Sequence, residues 1–265
     1  EYKTVFFCVG NDLFKICHAA KITLFRILEE PNRLEMFVPL FRLLQAVFEL
    51  FFPLLCINCQ KEINSRQKIL CLYCELELPL TYLNLIHPSP LKRLLFNDLK
   101  IDRVFSLYIF EEMALIESLL YQLKYVGNKA IGVFFDQKLA GLISGLACTF
   151  DGIIGVPLHP KRQRKRGFNQ VDLIGQSAAK ALSITYYGTF LERIKHTPKL
   201  SKASRDRTEI LQDAFRINPL IKLPKGHYLL LDDILTTGVT LKACSKLLVK
   251  IDHLSLSIAT IVYRN

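Results

Sequence analysis

Residues 228–240, Tyr-Leu-Leu-Leu-Asp-Asp-Ile-Leu-Thr-Thr-Gly-Val-Thr, constrain the fold more than any other stretch of this 265-residue chain. The apolar run at 228–231 reads as a buried strand, two adjacent carboxylates stand at its carboxyl end, and Thr-Thr-Gly turns directly into a helix. Each part has a physical task. Gly238 lets the backbone approach a ligand closely, and the free N–H groups at the helix start, with the hydroxyls of Thr236, Thr237 and Thr240, form a cradle for a phosphate dianion. Asp232 and Asp233 would repel that phosphate unless they face something else, and vicinal hydroxyls or a magnesium ion held through water are suitable partners. Phosphate, diol and carboxylates together describe a ribose 5-phosphate. A buried strand with acidic caps before a helix accounts for any one Asp and Thr, but less well for the whole segment.

The surrounding pattern supplies the frame. Strands are expected at 104–110, 153–156 and 254–263, and helical faces at Leu115, Ile116, Leu119, Leu120 and Leu123, ending near Lys124, Tyr125 and Gly127. Further helical faces run through Val171, Ile174, Ala178 and Ala181, and through Leu241, Cys244, Leu247 and Leu248. Alternation of this kind implies an α/β fold with a mostly parallel sheet flanked by helices and ligands at the carboxyl ends of its strands. A composition that is 51% hydrophobic excludes a disordered or fibrous chain.

Upstream, Cys56-Ile-Asn-Cys59 and Cys71-Leu-Tyr-Cys74 form two CxxC knuckles. Each presents two thiolates convergently, and the two together can supply the four-sulfur shell of a structural zinc ion, a reading preferred to two disulfides because those would close only tiny loops. Cys8, Cys17, Cys148 and Cys244 have no metal spacing and fit free thiols in a reducing cytosol. The expected organisation is an N-terminal extension at 1–35, an amphipathic helix at 37–52 with the zinc ribbon in 36–90, a proline-bearing linker at 79–90, and a sheet domain at 91–265. Residues 1–35 show no sustained period and no secretory pattern; coherent patterning begins after Met36, where a translation start is expected. The apolar stretch 37–57 is broken by Arg42, Gln45 and Glu49, so no transmembrane helix is expected.

The formal charge of +11 is concentrated: residues 151–207 hold 12 Lys/Arg against 4 Asp/Glu, whereas residues 1–150 hold 16 against 15. One surface is therefore suited to phosphate, without a choice between nucleotide, pyrophosphate and DNA. A solvated basic face is the plainer alternative.

The segment 228–240 resembles the 5-phosphoribosyl-1-pyrophosphate (PRPP) motif of type I phosphoribosyltransferases. The resemblance implies that Asp232 and Asp233 hold the ribose hydroxyls and would be the catalytic pair, and that Thr236, Thr237, Gly238, Val239 and Thr240 hold the 5-phosphate. It also implies that the loop after Gly155-Val-Pro-Leu grips pyrophosphate through His159, Lys161 and Arg162. The following Arg-Gly-Phe-Asn-Gln at 166–170, in order with the cysteine knuckles and the Asp-Asp-Thr-Thr-Gly site, resembles the ComF (GntX-like) family of competence-associated proteins over residues 37–263. Leu200 and Ile210 stand where that family commonly carries Gln and Asn, a departure that bears on turnover more than on PRPP binding.

What the ComF resemblance implies is a cytosolic protein that binds PRPP and magnesium and assists DNA uptake or natural transformation. Single-stranded DNA and other competence or DNA-translocation proteins would be its partners. Lys161, Arg162, Arg164, Lys165 and Arg166 would track a strand backbone, and Phe168 either stacks on a base or packs in the core. Alternatives are an active type I transferase in nucleotide salvage and a PRPP-sensing regulator without turnover. Lys195, Lys199, Lys202, Arg205 and Arg207, five cations within 13 positions, suggest an anion partner for the same segment.

Overall fold

The computed structural model describes residues 53–64, 69–81, 90–112, 114–146, 148–195 and 213–264. The expected 37–52 helix, the 1–35 extension and Lys199, Lys202, Arg205 and Arg207 lie outside the described residues.

Seven strands are found among them: β1 (Val104–Ile109), β2 (Gly152–Gly155), β3 (Thr185–Tyr187), β4 (Leu191–Arg193), β5 (Phe215–Ile217), β6 (Gly226–Leu235) and β7 (Leu254–Tyr263). Five form one sheet in the order β1-β7-β6-β2-β3, every pair parallel, while β4 and β5 pair antiparallel beside it. The helices are α1 (Leu72–Leu76), α2 (Pro90–Leu95), α3 (Leu115–Tyr121), which runs into a π-helical turn at Gln122–Val126, α4 (Lys129–Ser144), α5 (Pro160–Arg166), α6 (Gln170–Ala181) and α7 (Val239–Leu248).

The central strand β6 is longer than the apolar run alone suggests. Its ladder with β7 continues through Asp232↔Thr260 and Leu235↔Tyr263, so both carboxylates sit inside the strand. Successive side chains of a strand point to opposite faces of the sheet. Leu229 and Leu231 accordingly join one core with Val171 and Ile174 of α6, and Tyr228 and Leu230 join the other with Phe190, Phe215 and Cys244. That alternation sends Asp233 toward the α6 face and Asp232 toward the β4 face.

The short elements α1, α2, α5, β3, β4 and β5 go beyond the sequence expectation, and two further stretches depart from it. Helix α4 was not expected, although Asn128 caps it by accepting from the Ala130 N–H at 3.1 Å, and Ile131, Phe135, Leu139 and Ile143 recur at helical spacing on its buried side. The start of the expected linker is no linker. The Ile109 N–H donates to the Pro79 carbonyl at 2.8 Å and the Thr81 N–H to the Leu107 carbonyl at 3.0 Å, with Leu80 opposite Tyr108 in an antiparallel bridge. Residues 79–81 thereby cover the edge that β1 would otherwise expose to strange strands.

The cysteine module packs into the same core as the sheet. Cys56, Ile69, Leu70, Cys74 and Leu78 are buried together with Phe105 and Tyr108 of β1 and Phe135 of α4. Glu75 of α1 pairs with Lys138 of α4. No helix among the described residues is long and apolar enough to cross a membrane.

Candidate functional site

The carboxyl edge of β6 gathers the chemistry. Asp233, 7% exposed, receives two tethers on one oxygen: Lys124 Nζ lies 2.8 Å from Oδ2, and Gln170 Nε2 donates to it at 2.7 Å. Burial alone would push this carboxyl up, but Lys124, Gln170 and Arg166 outweigh it and hold Asp233 below the ordinary carboxylate range. Asp232 goes the other way. Burial and the neighbouring Asp233 charge push it well above the ordinary range, against the Asp233 N–H that donates to its Oδ1 at 2.8 Å. Adjacent carboxylates thus separate into one firmly ionised group and one reluctant one, the usual outcome when like charges share a site.

The groups that achieve this come from elements remote in sequence. Lys124 lies in the π-helical turn, which ends at Gly127 with φ +74° and an N–H that donates to the Gln122 carbonyl at 3.0 Å. Gln170 opens α6 and also accepts from Arg166, whose guanidinium lies 5.5 Å from the centre of the Tyr125 ring. On the other face of the sheet, half-buried Arg193 of β4 lies within electrostatic reach of Asp232 and of Arg162. Burial, and then the Arg162 charge, lower its pKa, which Asp232 opposes.

The Arg-Gly-Phe-Asn-Gln element explains itself here. Gly167 ends α5 in the left-handed region at φ +85°. Asn169 caps α6 by accepting from the Val171 N–H at 3.2 Å, and its amide donates to the Val156 carbonyl just beyond β2, also at 3.2 Å. Asp172 accepts from Asn169 and from the Tyr186 hydroxyl, the latter at 2.7 Å, while burial holds it above its ordinary pKa. The element pins helix to strand at Asn169 and helix to carboxylate at Gln170.

The structure groups the α5 cations by helical face. Arg162 and Arg166, four residues apart, are half-buried, while Lys161, Arg164 and Lys165 are exposed. Arg166, expected with the nucleic-acid contacts, is bonded into the carboxylate network. Lys161, expected with pyrophosphate, shares the exposed face. His159 serves as the N-cap of α5, its Nδ1 accepting from the Lys161 N–H at 3.2 Å. Phe168 lies against the π-helical turn: a Cβ added at Gly127 would come within 3.3 Å of its ring.

Beyond β6, Thr236 and Thr237 are exposed, and Gly238 caps α7 in the left-handed region at φ +71°. A Cβ at Gly238 would stand 3.2 Å from the Phe96 ring, so both conformation and space favour glycine. Val239 and Thr240 form the first turn of α7, whose N–H groups face the same edge. Two surface clefts are present: one of about 420 Å³ by Asp102, Cys148 and His227 at the start of β6, and one of about 520 Å³ between α2 and Tyr263, whose register partner Leu235 ends β6.

The four knuckle thiols converge. All four Sγ atoms lie within 4.8 Å of one another, and Cys59 Sγ is 3.6 Å from Cys71 Sγ. Ligands of a tetrahedral zinc ion at about 2.3 Å stand about 3.8 Å apart, so the donor set fits that ion. All four cysteines are free of disulfides. Burial works against the Cys56 thiolate, yet the backbone at Cys59, Cys71 and Asn58 brings it down to about 6. Burial holds Cys74 up at about 12, a shift that a bound cation would reverse.

Lys124 and Arg193 were not anticipated as site residues. Neither stands near the Asp-Asp motif in sequence, and only the parallel crossovers bring them to it. Gln170 was legible as part of a motif, but not as the carboxylate's partner.

No family model matches the chain. It is 38% identical over 103 residues to Competence protein F of Haemophilus influenzae, a match covering 38% of this chain and 45% of that protein. It is 28% identical over 204 residues to the DNA utilization protein YhgH of Salmonella typhimurium, covering 74% and 84% respectively. Competence protein ComFC of Streptococcus pneumoniae is 34% identical over 95 residues, covering 35% and 39%. The chain thus spans less than half the length of the Haemophilus and Streptococcus relatives. Among solved structures, adenine phosphoribosyltransferase of Trypanosoma brucei aligns with a TM-score of 0.37 at 11% identity over 60% of this chain and 83% of that one. The enzyme of Leishmania tarentolae aligns with a TM-score of 0.35 at 12% identity over 57% and 76%. At that distance the likeness adds nothing to what the parallel sheet already shows. In sequence, then, the chain is similar to Competence protein F, ComFC and YhgH.

Proposed function

We propose that this protein binds PRPP with magnesium at the carboxyl edge of β6 and serves DNA uptake by handling single-stranded DNA in the cytoplasm. The observation that carries the reading is the juxtaposition of Asp232 and Asp233 with the Thr236–Thr240 turn and the N-terminus of α7 on one strand end. Both tethers of Asp233 land on Oδ2, so Oδ1 is the atom to meet a ribose hydroxyl, and the turn's N–H and hydroxyl groups suit the 5-phosphate. Arg162 and Arg193 supply positive charge on the Asp232 side, where pyrophosphate would lie. Magnesium, when bound, supplies charge neutralisation for the pyrophosphate, and the Asp232 carboxylate fits it through water. The cysteine centre holds structural zinc: four closed ligands leave no open position for chemistry. The uptake role is drawn from the names of the competence and DNA utilization relatives, and the exposed Lys161, Arg164 and Lys165 agree with a phosphate-backbone contact.

Calorimetric titration of PRPP with magnesium into zinc-loaded protein tests the ligand, beside an Asp232→Asn, Asp233→Asn double variant. Saturable binding that disappears in the variant is expected. Absence of saturable binding by folded wild type would overturn the reading.

A further inference from the structure

The rings of Tyr121 and Tyr125 stand on consecutive turns where α3 becomes π-helical, with centroids 5.0 Å apart and planes inclined at 43°. They are 60% and 59% exposed, large aromatic surfaces that a folded chain normally buries. Arg166 lies over Tyr125, and the exposed Arg164 and Lys165 belong to the same short helix. Exposed aromatic rings beside guanidinium and ammonium groups are the recurrent makeup of single-strand nucleic-acid surfaces: bases stack on the rings and phosphates pair with the cations.

We propose that Tyr121 and Tyr125 form a base-stacking platform for single-stranded nucleic acid, with Arg164 and Lys165 on the adjoining phosphates. The assignment rests on the single-strand reading above and gives stacking to these tyrosines in place of Phe168, whose ring is engaged with Gly127. Charge favours this occupant, because a polyanion satisfies the exposed Arg164 and Lys165 that an ordinary apolar partner would leave buried. The platform also touches the PRPP edge: Arg166 donates to Gln170, whose amide donates to Asp233.

The chain contains no tryptophan, so Tyr125→Trp introduces a single indole whose emission reports on that position alone. A fluorescein-labelled oligo(dT) titrated against this variant at low salt is expected to give quenching of the indole and a rise in anisotropy with one shared midpoint. Tyr121→Leu with Tyr125→Leu should weaken binding about 5- to 150-fold for each stacked base lost. Folding of the double variant is checked by circular dichroism and zinc content. If anisotropy rises saturably while the indole emission stays constant, the platform is wrong and single-strand binding stands. If wild type gives no saturable anisotropy change even at low salt, single-strand binding and the platform fall together.

Discussion

Replacing Lys124 by methionine tests the electrostatics of the site most directly. Methionine keeps the aliphatic stem and removes the cation 2.8 Å from Asp233 Oδ2. At an effective dielectric near 20, that separation corresponds to a gross attraction of about 6 kcal/mol, against a desolvation penalty of several kcal/mol for each ion. The Lys124 and Asp233 side chains are only 18% and 10% exposed, so solvent screening removes little of it. Truncating one member of such a pair is expected to cost about 3–5 kcal/mol at pH 7.5, because the carboxylate is left buried beside Asp232. The pH dependence carries a sign. In wild type, Asp233 titrates below its unfolded value, so its contribution is complete above the ordinary carboxylate range and lost as pH falls through its depressed native pKa. Without Lys124, burial and Asp232 raise Asp233 instead. A raised carboxyl favours the folded state at low pH and loses that benefit as pH rises, so the deficit of the variant should shrink between pH 7.5 and pH 5. Urea unfolding at both pH values, with Lys124→Arg as the charge-preserving control, measures this. A loss under about 1 kcal/mol at pH 7.5, or an equal loss at both pH values, would refute the reasoning.

Adding a chelator to zinc-loaded protein should lower the melting temperature of the whole sheet domain. Ile69, Leu70 and Leu78 share its core and each stand to lose roughly 1.5–3 kcal/mol of burial; a sheet transition that stays where it was would show the module to be energetically separate. Gly155→Ala should cost about 1–3 kcal/mol by overpacking, because its Cβ would collide with the Tyr186 hydroxyl, while Gly175→Ala meets the edge of the same ring. Tyr186→Phe should therefore relieve the first substitution and leave the second, which a double-mutant cycle by urea unfolding would read; equal relief of both would mean that the ring shifts as a whole.

Much of this molecule follows from local rules. The strand at 254–263, the helix opening after Asn169, the four-cysteine cluster and the Asp-Asp-Thr-Thr-Gly turn are each dictated by residues within twenty positions of one another, because periodicity, capping, turn chemistry and cysteine spacing act over that range. Helix α4 escaped because Gly132 and Gly141 interrupt an otherwise regular apolar pattern. The start of the linker was misjudged because its prolines mark a break in helix, whereas Pro79 still offers a carbonyl to a strand edge. The partners of the carboxylates belong to another class. The pleat of β6 turns Asp232 and Asp233 to opposite faces, and parallel crossovers bring Lys124 and Gln170 to one and Arg193 to the other, from positions 39 to 109 residues distant. A sequence shows which groups carry charge and which local turns can cradle a phosphate. Which of two adjacent carboxylates stays ionised depends on burial and on charges a few ångströms away, and those distances exist only once the sheet has closed.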